Sequence, residues 1–182
     1  MPINGLHHAA YRCRDAQETV DFYTGLLGLP YVMAISEDRV PSTKEPDPYM
    51  HIFFDIGKGG CLAFFELPTK PPMGRDPNTP TWVQHIALQV DDVAELDAAK
   101  TRLAAKGVDV LGPTDHGIFK SIYFFDPSGN RVELCCNTGA KSDFDRLKAV
   151  APQMLADWNK SKKTVRHAAF VHEKELAGSN GR

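Results

Sequence analysis

At 182 residues, with 42% apolar and 24% charged side chains, the chain has an ordinary globular composition and the length for one domain with a sizeable core, which excludes a disordered or fibrous class. A formal net charge of −2 removes the general electrostatic reason to bind nucleic acid. No apolar run approaches the roughly 20 residues that span a bilayer, and the N-terminus MPINGLHHAAYRC lacks the regions of a secretion signal, so no membrane partner and a cytoplasmic location are expected. Cys13, Cys61, Cys135 and Cys136 form no CxxC pair, and most sit in apolar runs as small hydrophobes, so reduced thiols are expected.

In chain order, residues 6–14 read as a short strand, and Asp15 caps a helical run in which Val20, Tyr23, Leu26 and Leu27 fall at helical spacing before Gly28. A strand over 31–36 follows, then a polar, proline-rich loop EDRVPSTKEPDP expected to lack regular structure. Strands over 50–56 and 61–67 flank the turn Gly57-Lys58-Gly59-Gly60. A second proline-rich loop, PTKPPMGRDPNTPT, leads to a strand VQHIALQVD, a helix DVAELDAAKTRLAAKG and three strands over 108–111, 120–125 and 131–136. From Lys141 an amphipathic helix carries Phe144, Leu147, Val150, Met154 and Trp158 on one face, with Pro152 expected to kink or divide it. Residues after about 175 read as an unstructured end.

The order strand, helix, three strands therefore occurs twice, and the copies match residue by residue. His8-Ala9-Ala10 with Asp15 overlays His85-Ile86-Ala87 with Asp92, each His lying seven positions before its helix cap. The expected class is α+β: two tandem βαβββ modules, about 4–68 and 82–137, form one domain over 1–140 with a metal-binding concave sheet, and 141–182 form a helical tail.

Side chains alternate along a strand, so His8 shares a face with Ala10 and Arg12, His85 with Ala87 and Gln89, and Glu133 with Arg131 and Cys135, while His7 turns to the other face. If the first and last strands of the copies line one concavity, His8, His85 and Glu133 converge. Two imidazoles and one carboxylate leave open positions for substrate and oxygen, the arrangement associated with non-haem Fe(II); ligand type alone also admits Mn, Zn, Ni or Co. Glu66 closes the first copy as Glu133 closes the second, and repeat symmetry offers it as a fourth ligand or as a group that orients a ligand.

These features resemble the vicinal oxygen chelate superfamily, which includes glyoxalase I, fosfomycin-resistance proteins, methylmalonyl-CoA epimerase and extradiol ring-cleaving dioxygenases; the resemblance covers residues 4–137. It implies one divalent ion that holds two adjacent oxygen atoms of a small-molecule substrate, and members often form homodimers. Within the superfamily, Thr114-Asp115-His116, Ile122-Tyr123, Asp126-Pro127-Ser128-Gly129 and Glu133 are similar to the pattern of extradiol dioxygenases. That resemblance implies that His116 is the acid/base, that Tyr123 donates to a substrate oxygen, and that a catechol-like diol and O2 are substrates. Arg12, Phe64 and Phe125 would line the pocket. Two other readings stay open: a non-oxidative lyase, epimerase or thiol transferase that uses the metal as a Lewis acid, and a metal-free binding module.

Overall fold

A computed structural model describes residues 2–172. The expected end after residue 175 lies outside them. The duplicated order is present as two four-stranded mixed sheets with matching topology. The first contains β1 (His8–Cys13), β2 (Tyr31–Arg39), β3 (Pro46–Asp55) and β4 (Cys61–Glu66), arranged β1-β4-β3-β2. The second contains β5 (Ile86–Gln89), β6 (Leu111–Asp115), β7 (Phe119–Phe125) and β8 (Arg131–Asn137), arranged β5-β8-β7-β6. In each, the first and last strands run parallel and the other pairs antiparallel.

Each module's helix begins at the expected cap. The carboxylate of Asp15 accepts from Glu18 N at 2.7 Å to open α1 (Ala16–Val20), and Asp92 accepts from Glu95 N at 2.8 Å to open α2 (Val93–Ala105). Beyond α1 the backbone widens to π-type pairing over Asp21–Leu26 and carries Phe22 and Tyr23 into the core. One apolar cluster draws on both modules: Tyr23, Phe54, Leu62 and Phe64 pack with Leu96, Leu103, Ile122, Phe124 and Val132. Tyr23 also ties the modules together, because its hydroxyl donates to the buried Asp126 carboxylate at 3.1 Å.

Three boundaries differ from the sequence expectation. Half of the proline-rich loop after residue 36 is strand, because β2 runs to Arg39 and β3 starts at Pro46. Met50 is paired with the last residue of β4, so Pro46 and Pro48 lie beyond that strand's end, with a neighbour on one side only, where a missing N–H costs little. The strand expected over 108–111 begins instead at Leu111, since Val108 N still bonds to Leu103 O at the end of α2. The C-terminal helix α3 (Lys141–Ser161) is a single element that includes Pro152.

The helix α3 buries no residue fully; Phe144, Leu147, Val150 and Met154 are half-buried and Trp158 is 46% exposed, so the stripe seen in the sequence is the side that turns inward, without full cover. A short turn over Ala169–His172 returns to the body, with Arg146 above the Phe170 ring at 3.7 Å. Val171 rests on the β6–β7 turn: at Gly117, where φ is +81°, an added Cβ would stand 2.0 Å from the Val171 carbonyl oxygen. No helix among the described residues is long and apolar enough to cross a membrane.

Candidate metal centre and active site

Strand register decides which side chains share a surface. In the second sheet, Ala87 pairs with Glu133, Tyr123 with Glu133, Ser121 with Cys135 and Phe125 with Arg131. Ser121, Tyr123, Phe125, Arg131 and Glu133 therefore occupy the face away from the helix, and His85, immediately before β5, joins them there. The opposite face carries Ile122, Phe124 and Val132 into the core.

On this outer face His85 Nε2 lies 2.9 Å from Glu133 Oε2, and His85 Nδ1 lies 3.0 Å from the Val83 carbonyl. A carbonyl only accepts, so Nδ1 carries a proton and donates, which leaves Nε2 facing a carboxylate. Two acceptors at that distance require a positive centre between or upon them, a proton on Nε2 or a metal cation. The donor set thus fits a divalent ion, with the Val83 carbonyl fixing the imidazole in the ligating tautomer.

Glu133 is 3% exposed, and its other oxygen is fully engaged. Oε1 accepts from Ser121 Oγ at 2.5 Å and from Tyr123 Oη at 3.3 Å. His116 Nε2 stands 2.9 Å from Tyr123 Oη, and its ring stacks on Phe119 with centroids 4.5 Å apart. Because the Tyr123 proton is directed to Glu133, the hydroxyl accepts from His116 Nε2–H, and the three residues form one donor series. Burial pushes the Tyr123 phenol above its ordinary value, and the nearby Glu133 charge works in the same direction, so Tyr123 remains a donor.

His8 lies on the corresponding face of the first sheet. Its Nδ1 is 2.7 Å from His7 Nδ1, and its ring makes edge contacts with Phe53 and with His51, whose centroid is 6.2 Å away. His7 does not turn to the opposite side as strand alternation implied, because β1 begins only at His8. No group of three His, Cys, Asp or Glu side chains gathers in metal-binding geometry among the described residues, so His85 and Glu133 meet while His8 stays with its own sheet.

The structure moves two expected residues away from this surface. Glu66 lies on the helix-facing side of β4, where its carboxylate accepts from Ala16 N at 2.7 Å. It is paired with Cys13, whereas the repeat match to Glu133 is Ala63: Ala10 pairs with Ala63 as Ala87 pairs with Glu133. Glu66 is thus three residues too late and on the wrong face to be the symmetric ligand. Phe64 is fully buried among Tyr11, Tyr23 and Phe54, a core residue and not a pocket wall. Arg12 donates to the Pro71 carbonyl at 2.7 Å, which anchors the inter-module loop, while its Nε is buried without a partner. Phe125 does line a cavity beside His85.

His51 is the residue that sequence reasoning missed. It is 8% exposed, stacks on Phe65 at 3.5 Å between centroids, and has a buried Nε2 without a partner. Burial, followed by the nearby charge of His8, holds its pKa down to about 4, so the ring is neutral at neutral pH. The signal in the sequence was a lone histidine inside the apolar run MHIFFD, on the face that register assigns to His8.

The family described as the glyoxalase/bleomycin resistance protein/dioxygenase superfamily matches residues 5–134. The chain belongs to this superfamily, which includes metal-dependent dioxygenases, lyases and transferases. It is 30% identical over 145 residues to the Bacillus subtilis protein named "Putative ring-cleaving dioxygenase MhqA", covering 78% of this chain and 43% of that one; the chain thus spans under half of that relative's length. It is 28% identical over 164 residues to the metallothiol transferase FosB of Shouchella clausii, covering 88% of this chain and 99% of FosB. Among solved structures, the lactoylglutathione lyase of Agrobacterium tumefaciens aligns over 75% of this chain and 96% of its own, with a TM-score of 0.52 and 25% identity.

Proposed function

We propose that the chain is an Fe(II)-dependent extradiol-type dioxygenase that cleaves a catechol-like aromatic diol beside its hydroxyl pair. The observation that carries this reading is the donor series His116 Nε2, Tyr123 Oη, Glu133 Oε1 on the face that also holds His85. The likeness to a relative named for ring cleavage supports it. So does Ala63 at the repeat position of Glu133, which leaves two histidines and one carboxylate as the ligand set.

His85, Glu133 and His8 would hold the ion, which would supply the positive charge that binds the two oxygens of the diol. Tyr123 then turns its proton from Glu133 to a substrate oxygen, and His116 Nε2 gives or takes the proton that ring opening displaces. His8 reaches the site from a second copy of the chain. The exposed strand β2 supports such an association, because Tyr31, Val32, Met33 and Ile35 are each 38–51% exposed at the edge of the first sheet.

Oxygen uptake by Fe(II)-loaded protein with a panel of catechols tests the reading. Uptake with stoichiometric ring-opened product is expected; tight metal binding without uptake on any diol overturns it. A second reading, a transferase or isomerase that uses Mn, Zn, Ni or Co as a Lewis acid, is favoured by the near full-length match to FosB.

A further inference from the structure

The face that carries His85 and Glu133 also carries two guanidinium groups without a salt-bridge partner among the described residues. Arg131 Cζ lies over the Tyr123 ring at 4.4 Å, and Arg75 Cζ lies over the Phe125 ring at 4.6 Å, so neighbouring aromatic rings of β7 hold both charges. Both line a cavity of about 290 Å³ with His85, Tyr11, Phe125 and Asn130. Arg75 donates a long 3.4 Å hydrogen bond to the Gly129 carbonyl, and Arg131 Nε is buried with no hydrogen-bond partner among the described residues. A buried donor left unpaired is costly, so an acceptor arriving there is rewarded.

The acid in the cavity wall is already committed. Asp76 accepts from the Thr79 hydroxyl and, at 2.9 Å, from Asn78 N, which leaves the arginines unneutralised. The cavity therefore offers two fixed cations, flat apolar walls from Tyr11 and Phe125, and His85 in its lining. Its volume, at the low end for ligand sites, suits a molecule with one ring.

We propose that this cavity is an anion subsite, in which Arg131 and Arg75 bind a carboxylate or phosphonate substituent of the substrate whose reacting oxygens face His85 and Glu133. The proposal rests on the reading of that face as the reaction centre and adds the substrate class: an acidic aromatic diol, not a neutral one. Planar guanidinium groups suit such oxyanions because their donors match the oxygen spacing. Arg131, stacked on Tyr123, would also fix the substrate's position relative to the phenol that donates to it.

The test reads the arginines directly. In metal-free protein labelled with 15N-arginine, 3,4-dihydroxybenzoate and phenylphosphonate are titrated against catechol while the Nε–Hε resonances of Arg131 and Arg75 are followed. Saturable shifts with either acid and none with catechol are expected, and the relative affinity of the two acids tells carboxylate from phosphonate. In Zn(II)-loaded protein, 3,4-dihydroxybenzoate should bind about tenfold more tightly than catechol, the ratio that one charge-assisted hydrogen bond supplies. Arg131→Gln and Arg75→Gln should each shrink that preference. Resonances that respond to neither acid, or a preference unchanged in both variants, would overturn the subsite. Failure of the metal reading looks different: both diols then bind loaded and metal-free protein alike, while Arg131 Nε still responds to the acid, which sustains the subsite.

Discussion

Ala63 occupies in the first sheet the place that Glu133 occupies in the second, each paired with the matching alanine of the repeat, Ala10 or Ala87. The duplicated modules therefore diverge at the position where a second carboxylate would enter the proposed metal centre. Glu66 instead supports the start of α1. Glu66→Ala should bind metal as the parent does in calorimetric titration and lose about 1 kcal/mol of folding stability, the scale of a lost helix cap. A tenfold loss of metal affinity would contradict this placement.

Separation of His8 from the His85–Glu133 pair makes a prediction about assembly. His8→Ala and Glu133→Ala should each fail to retain metal. When the two are unfolded together and refolded as a mixture, random pairing of two-fold dimers regenerates intact sites on half of the mixed dimers' faces, about a quarter of all sites. Metal bound per chain should rise to that fraction. No recovery on mixing would mean that His8 serves the site of its own chain.

Tyr123→Phe removes the central hydroxyl of the donor series while leaving the ring that supports Arg131. Metal content should be unchanged and kcat should fall by about 10² or more, the usual contribution of a positioned proton donor. Stopped-flow single turnovers with Fe(II)-loaded protein check it; a raised KM with unchanged kcat would assign Tyr123 to binding alone.

The contact between α3 and the returning tail has a defined acid limit. Hydrogen bonds from His167, Gln153 and Lys160 hold the Asp157 carboxyl down to about 2, from an ordinary value of 3.8. The folded state thus binds this proton less readily than the unfolded state, and the contribution is complete above pH 3.8 and fades as pH falls toward about 2. Asp157→Asn should remove that pH-dependent component, seen as the difference between urea denaturation curves of parent and variant across this range.

The repeat was legible because it is written in local signals. Asp15 and Asp92 each cap a helix with their own side chain, and alternation placed Arg131 and Glu133 on one face without any knowledge of packing. Glu66 misled for a related reason: position near a strand's end looked equivalent to Glu133, but parallel pairing with β1 sets the register, and a three-residue offset reverses the face. His51 and Arg131 were harder still. Each matters through a nitrogen left unpaired by burial, and unpaired burial is a property of neighbours distant in the chain.

The superfamily match ends at residue 134, yet the carbonyl of Val171 lies against Gly117, next to His116. The turn that carries His116 is thus roofed by a segment that lies beyond the residues the superfamily model matches. Chemistry inherited from a common scaffold can be retimed by an addition that touches no reacting atom. Here the cover is backbone on backbone, at a glycine with no room for a side chain, so changes in the tail's sequence are free to alter how firmly that roof sits while the turn beneath it keeps its shape.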